Sequence, residues 1–450
     1  ALVKIENIDD NLFIIPYSKN SDIFLNNKRI KDKTSFNLNS DIITINRANF
    51  RINRFFELIY IPLEIDKMTV QGLLHHFKDG NIALDDFSFE AKKGEILAIM
   101  GQSGCGKSTL LKAITGEIIP SYGSVFISDK NLYNYLNFFS KYIGYVPQYD
   151  ILFQNLTVYE NLLYRGRLQM PNLSRSLLDQ KINNILMQMK LTHRKNSLVG
   201  NQKSSFLSGG ERKRLNIAME LLFEPTIVIC DEPTSGLSSI DSDQIIDILK
   251  NFSEQGKIVI LTIHQPNQSI YERFDKILLM DMNGKQVYYG DSDSAFDYFD
   301  SELDKITVNY DKILKKKKLK MPEFFLDIIE YPVYKSNGDI VYEQANRSLK
   351  VKRRYSPDYW HDKFKKKLLY DVFKFSKQED KTVKNKQSIK RRKMSFKSHL
   401  VQLLTYIKRS FLLKFRNKTN TFITFAEAPL LAFLIAFILR LSPGQTDYSY

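Results

Sequence analysis

Cysteine is almost missing from this chain: Cys105 and Cys230 are the two in 450 residues. Neither sits in a disulfide-type spacing, so a disulfide framework is not what holds the fold, and a reducing compartment is expected. A signal-peptide pattern is also missing at the N-terminus, which opens on Ala1. The chain ends a few residues after an apolar stretch, so it reads as a piece of a longer protein. Acidic residues are in short supply, 50 against 66 Lys and Arg, for a net charge of +16. That excess admits a nucleic acid, an anionic membrane surface or a solvated Lys-rich exterior, and only its position along the chain decides between them. Wholesale disorder is excluded by 43% hydrophobic and 26% charged residues. The length exceeds what one core usually carries, so two or three structural units are expected.

Residues 1–62 carry Ile-, Phe- and Asn-rich runs in short alternation, separated by Asn-containing turns, and predict a small β-rich unit. The stretch 23–45, IFLNNKRIKDKTSFNLNSDIITI, resembles the closing half of a forkhead-associated (FHA) β-sandwich. The Arg- and Ser-bearing loops with which such domains hold phosphothreonine are not recognisable in it. An accessory β piece without phosphopeptide binding is the other reading. From 63 to 300 the pattern changes. EILAIM (95–100), YIGYV (142–146), TIVIC (226–230), IVILTI (258–263) and KILLM (276–280) are short and nearly continuous in apolar residues. Strands buried on both faces of a mostly parallel sheet need that composition. Helices are expected over 107–117, 158–169, 174–189, 211–223 and 242–252, giving an α/β class with crossover helices. Residues 301–394 read as a basic linker with a Lys run at 315–318 and a Lys/Arg run at 390–393, 395–418 as an amphipathic helix, and 419–441 as a membrane span.

Gly101, Gln102, Ser103, Gly104, Cys105, Gly106, Lys107, Ser108 and Thr109 follow the first of those apolar runs directly. Glycines let successive backbone N–H groups turn around phosphate oxygens, and the helix that follows points its positive end at the same anion. Lys107 would reach the β- and γ-phosphates of ATP, and the Ser108 hydroxyl would ligate Mg²⁺. The run TIVIC ends in Asp231 and Glu232. At a strand's carboxyl end, Asp231 would hold Mg²⁺ through water and Glu232 would orient and polarise an attacking water. Ser208, Gly209 and Gly210, with Glu211 three residues after the serine, spell a helix start whose bare amides form a second anion site. One phosphate loop already holds a triphosphate. The second site is therefore explained by two copies facing each other, each offering Ser208–Gly210 to the other's γ-phosphate.

These elements in this order resemble an ABC nucleotide-binding domain, a P-loop NTPase fold, over about 68–299. The resemblance implies that Gln148 is the Q-loop residue, which senses Mg²⁺ and contacts the permease. It implies too that His264 is the switch histidine on the γ-phosphate. Glu211, Arg212, Lys213 and Arg214 after the signature, Thr262-Ile-His-Gln-Pro, Val287-Tyr-Tyr-Gly and Pro322-Glu-Phe-Phe-Leu-Asp resemble the G subfamily, the White/Scarlet-type half-transporters. Bacterial relatives with appended N-terminal modules have a similar layout. Ser238 stands where that family carries its D-loop aspartate, with Asp241 as a substitute three residues on. Phe77 is the candidate adenine-stacking aromatic and His76 the second choice.

Residues 381–418 contain 13 Lys or Arg and no acid, immediately before the apolar run 421–439. Positive-inside asymmetry places them on the cytoplasmic face of an inner or plasma membrane, and the aromatic interleaving of single-strand readers is missing, so no nucleic acid is expected. Glu427 and Pro429 interrupt the span and leave a buried soluble helix as an alternative. The expected function is ATP binding and hydrolysis coupled to substrate export, through a homo- or heterodimer of nucleotide-binding domains and a permease domain. A non-transport ABC ATPase and an ATPase gated by the β module are the rivals.

Overall fold

The computed structural model describes residues 3–8, 11–17, 23–26, 28–30, 32–38, 40–45, 48–52, 57–61, 64–77, 80–200, 206–306, 322–335, 337–345, 348–371 and 396–440. The basic runs at 315–318 and 390–393 lie outside these residues. The chain divides into two units, Ala1–Met68 with Ile127–Lys130, and Thr69–Phe126 with Asn131–Tyr450.

The first unit is all-β. Strands β1 (Val3–Ile8), β2 (Asn11–Pro16) and β5 (Thr34–Ser35) form one antiparallel sheet. A second is built from β3 (Ile23–Leu25), β4 (Lys28–Arg29), β6 (Ile43–Ile45), β7 (Ala48–Ile52) and β8 (Leu58–Ile61), in the order β4-β3-β6-β7-β8. Ile14, Ile23, Ile30, Phe36, Ile43 and Ile52 from both sheets close on one small core. The turn after β3 depends on Asn26, whose φ of 47° a short polar side chain tolerates. Its amide bonds Asp41 Oδ1 at 2.8 Å and accepts the Ile42 N–H at 2.9 Å.

The second unit is organised by a ten-stranded sheet. Its centre is five strands: β11 (Ile96–Gly101), β14 (Ile143–Val146), β15 (Ile227–Cys230), β16 (Ile258–Ile263) and β17 (Lys276–Asp281). They run parallel in the spatial order β17-β11-β16-β15-β14. All six residues of β11 and of β16 are buried, as the unbroken apolar runs require. On the far side β18 (Lys285–Asp291) pairs antiparallel to β17. The chain is therefore an α/β protein with the P-loop NTPase arrangement.

Helices form where the periodicity placed them, with ends fixed by caps. Val158–Gln169 opens on a capping box in which Thr157 and Glu160 satisfy each other's backbone N–H. Arg175–Gln188 opens on Ser174, and Ser239–Glu254 opens three residues earlier than expected because Ser238 is its N-cap.

Residues 322–371, expected to be part of a basic linker, are folded onto the sheet. Helix Glu323–Ile329 buries Phe325, whose ring lies 4.6 Å from Phe296 and 5.4 Å from Phe299. A hairpin of β19 (Tyr342–Ala345) and β20 (Ser348–Val351) follows. Helix Pro357–Asp371 then places the one Trp of the chain, Trp360, fully buried at 5.3 Å from Phe299. Burial of such an aromatic is typically worth about 3–5 kcal/mol against alanine, enough to fix a polar segment.

Helix Phe396–Arg416 packs along Val158–Gln169 by its polar side. Gln402 Nε2 bonds Leu168 O at 2.7 Å, and Ser398 Oγ bonds Asn172 Oδ1 at 2.8 Å. Arg416 grips Glu160 with both terminal guanidinium nitrogens, at 2.6 and 3.0 Å. The apolar stripe Leu400, Leu403, Leu404, Ile407, Phe411 and Phe415 is exposed. Helix Lys418–Arg440 continues from it through Pro429. Its stretch Thr421–Ile438 has a mean hydropathy of 2.0 and none of it is buried, so it is long and apolar enough to cross a membrane.

Candidate functional site

The loop after β11 turns back on itself before helix Lys107–Thr115. Gly106 is the N-cap at φ 106°, and a Cβ there would stand 2.3 Å from Ala83 O. Only glycine lets the backbone pass this close. Lys107 is buried, and its ammonium donates to Gly101 O at 2.8 Å and Gln102 O at 2.7 Å. Ser103, Gly104 and Ser108 are exposed around it, Thr109 is half-buried and Cys105 is buried. Burial pushes the Cys105 thiol up to about 11, so it is a neutral packing group there.

The neighbouring parallel strands bring the other candidates to the same edge of the sheet. Val146 pairs with Cys230, and Cys230 with Leu261. The residues just past those strand ends therefore lie side by side: Gln148 after β14, Asp231 and Glu232 after β15, His264 after β16. Glu232 sits at φ 45°, an uncommon conformation for a residue with a side chain. Its carboxylate is held on one oxygen by Gln148 Nε2 at 2.8 Å and on the other by His264 Nε2 at 2.7 Å. Asp231 is buried and accepts the Thr262 hydroxyl at 2.7 Å. The same hydroxyl accepts the Glu232 N–H at 2.8 Å. Tyr145 Oη lies 3.4 Å from the other Asp231 oxygen, its own pKa raised by burial.

Two contributors appear in the sequence only inside family-like motifs, with no role at the site. Thr262 is one of these: it orients both acids at once, and nothing in an apolar strand advertises a buried hydroxyl. Lys213 is the other. It is buried in helix Gly209–Leu221 and donates to Gln148 O at 2.8 Å, while burial lowers its pKa.

Ser208 caps that helix through a complete capping box, its hydroxyl taking the Glu211 N–H at 3.1 Å and Glu211 Oε2 taking the Ser208 N–H at 2.8 Å. Burial tends to raise the Glu211 pKa, but hydrogen bonds from Arg194 and Ser208 overcome it and hold the carboxyl below the usual range. Ser208 and Gly209 are exposed, so the turn is open to an incoming group, and Gly210 is buried beneath it. Phe77 stands at the end of the hairpin arm after Lys67–His76, about half exposed, with its ring edge-on to His75 at 5.4 Å; His76 is exposed beside it.

Ser108, Asp231 and Gln148 offer oxygen donors of the hard type that Mg²⁺ prefers. Among the described residues no group of three or more His, Cys, Asp or Glu could hold a metal by itself. The ion would thus depend on phosphate oxygens for the rest of its shell.

Residues 84–235 match the family model described as ABC transporter. That stretch is an ABC transporter ATP-binding domain. The chain is 42% identical over 221 residues to ABC transporter G family member 22 of Arabidopsis thaliana, covering 48% of this chain and 29% of that one. ABC transporter G family member 1 of Dictyostelium discoideum is 36% identical over 256 residues, 56% of this chain and 30% of that protein. An uncharacterized ABC transporter ATP-binding protein/permease of Saccharomyces cerevisiae is 30% identical over 355 residues, 73% of this chain and 27% of its own length. Among solved structures, cbiO1 of Clostridium perfringens, part of the ABC transporter complex cbiONQ, is 26% identical. It aligns over 57% of this chain and 100% of its own, with a TM-score of 0.48. The chain spans less than a third of the length of the curated relatives named here. The ATP-binding domain thus has G-subfamily homologues, the White-type group that the motifs after the signature resemble.

Proposed function

We propose that this chain binds and hydrolyses ATP as the cytoplasmic motor of a G-type ABC exporter in an inner or plasma membrane. The observation that carries the proposal is the convergence of Gln148 and His264 on the Glu232 carboxylate, at the same strand-end edge of the sheet as the loop that holds Lys107. In this reading Lys107 leaves the two loop carbonyls for the β- and γ-phosphates. The amides of Gly101, Ser103, Gly104, Cys105, Gly106 and Thr109 wrap the anion, and Phe77 stacks on the base. Ser108, Gln148 and Asp231 hold Mg²⁺, which neutralises developing charge on the phosphates. Glu232 polarises the attacking water and His264 hydrogen-bonds the γ-phosphate. The exposed Ser208 turn, with Gly209 and Gly210, closes over the nucleotide of a second nucleotide-binding domain, so the working unit is a homo- or heterodimer.

Coupling to a permease would run through the Gln148 region and helix Phe396–Arg416. Arg409 lies 4.6 Å over the Phe153 ring, a few residues past Gln148. Because that helix meets the ATPase by its polar side, its apolar stripe is left for lipid or for permease helices, and the unburied apolar helix beyond it supports a membrane span over a buried soluble one. The β unit supports an accessory role; its two antiparallel sheets agree with an FHA-like module, and no phosphothreonine site is assigned to it.

The test is Lys107→Ala. Losing charge-assisted hydrogen bonds to phosphate costs about 1.5–3 kcal/mol, so Mg-ATP binding should weaken roughly ten- to hundredfold and turnover should disappear. Unchanged binding by equilibrium dialysis would refute the site.

A further inference from the structure

The folded segment 322–371 returns to the phosphate loop through one side chain. Arg353 lies just past β20, opposite Pro332 in an isolated antiparallel bridge. The Arg354 N–H bonds Tyr331 O at 2.8 Å, and the Val333 N–H bonds Lys352 O at 2.9 Å. Phe325 on one side and Trp360 on the other are fully buried, so the bridge is anchored at both ends. From this footing the Arg353 guanidinium reaches two acceptors. Nη1 donates to Asp281 Oδ1 at 2.8 Å and Nη2 to Gln102 Oε1 at 3.0 Å.

Neither acceptor is incidental. Asp281 closes β17 and is completely buried, and its neighbour Met280 is the register partner of Gly101. Gln102 is the second residue of the phosphate loop, and among the described residues its Nε2 has no partner, so Arg353 is the polar hold on that side chain. Lys107 holds the same residue from the other side, through its carbonyl. When Lys107 moves to phosphate, the backbone hold on Gln102 is lost and the Arg353 hold remains.

We infer that Arg353 is a positioning residue for the nucleotide: it pins the first turn of the phosphate loop to the end of β17, so that ATP affinity depends on residues C-terminal to the ATPase core. The Asp281 pair alone would serve stability; the second prong onto Gln102 is what reaches the site. The inference rests on the ATP-binding reading above.

The test is Mg-ATP affinity and melting temperature of the full chain in detergent. Arg353→Lys keeps a charge beside Asp281 but lacks the fork that spans both acceptors. It should melt close to the parent and bind Mg-ATP about three- to tenfold more weakly, as should Gln102→Ala, in the range of coupling between contacting residues. Combining the two should cost no more than either alone. Parental affinity in Arg353→Lys, or additive losses in the double variant, overturns the inference. Lys107→Ala run alongside separates the failures: if it too binds like the parent, the ATP site itself is misassigned.

Discussion

Replacing Glu232 by Gln isolates chemistry from binding, because the structure shows how little else the change disturbs. The carboxylate accepts two hydrogen bonds, from Gln148 Nε2 at 2.8 Å and His264 Nε2 at 2.7 Å. The amide of Glu232→Gln keeps its oxygen on Gln148 Nε2 and turns its NH₂ toward His264 Nε2, which accepts in the other tautomer of the neutral imidazole, so the Gln148 oxygen stays free for Mg²⁺. Both contacts then survive, now neutral, and the loss in folding free energy should stay within about 1 kcal/mol. Lys107 and Asp231 are untouched, so ATP should bind with parental affinity. Turnover is different. A positioned base contributes roughly a hundred- to ten-thousandfold, and an amide cannot accept the proton of the attacking water. Phosphate release from the chain in detergent micelles should fall by at least about a hundredfold. ATP should remain bound, and the closed dimer should accumulate in mass photometry. Parental turnover in Glu232→Gln would refute the catalytic assignment. Lost ATP binding would show that this carboxylate builds the pocket.

Two further outcomes follow from contacts away from the reacting atoms. Glu160→Gln retains a side chain that serves a capping box but gives up the charge gripped by Arg416, so helix Val158–Gln169 should keep its start while helix Phe396–Arg416 loosens. A partly exposed pair of this kind is worth up to about 1 kcal/mol, so amide exchange over 396–416 should quicken by no more than roughly fivefold, and unaltered exchange would show that the pair does not hold that helix. The thiols of Cys105 and Cys230 are pushed up by burial to about 11 and about 12. At pH 8 about one Cys105 in a thousand is thiolate, so Ellman's reagent should react slowly with the folded chain and at once in denaturant. A thiol raised in the folded state lends stability that is complete below its ordinary pKa and is lost as pH climbs through the folded value. Melting temperature should therefore drop between about pH 9 and pH 11.

What the sequence made legible is what depends on near neighbours in the chain. Apolar runs such as 258–263 announce strands buried on both faces, and the glycines before Lys107 announce a phosphate loop, because each needs only a few consecutive residues. Gln148 was legible only through a family resemblance: as a residue it is one glutamine among many, and its role comes from β14 lying beside β15. Segment 322–371 was illegible for a related reason. Its anchors, Phe325 and the adjacent pair Trp360 and His361, are far apart in a Lys-rich stretch, and what they pack on, from Phe296 to the Gln286 carbonyl, lies well upstream. No local period records such contacts. The roles of Lys213 and Arg353 were illegible likewise, since a basic residue in a basic chain carries no mark of having two acceptors within reach.

The turn after Glu232 shows the same limit at closer range. The sequence leaves open whether Asp241 takes over from the aspartate replaced by Ser238. In the structure Asp241 faces inward. Its Oδ2 accepts the Ser238 hydroxyl at 3.0 Å, its N–H is capped by the same serine at 3.2 Å, and its Oδ1 lies 3.4 Å from Arg214 Nη1. That carboxylate also occupies the space beside Gly210, where an added Cβ would come within 2.0 Å of Oδ1. The second glycine of the signature turn is thus required by Asp241 as well as by any phosphate it approaches. The acid joins two helices of one subunit, Gly209–Leu221 and Ser239–Glu254. What the turn presents outward is Ser238, Ser239 and Ile240, the last 72% exposed. A partner meeting this turn therefore meets hydroxyls and an apolar side chain, a contact that salt should weaken far less than one made through a carboxylate.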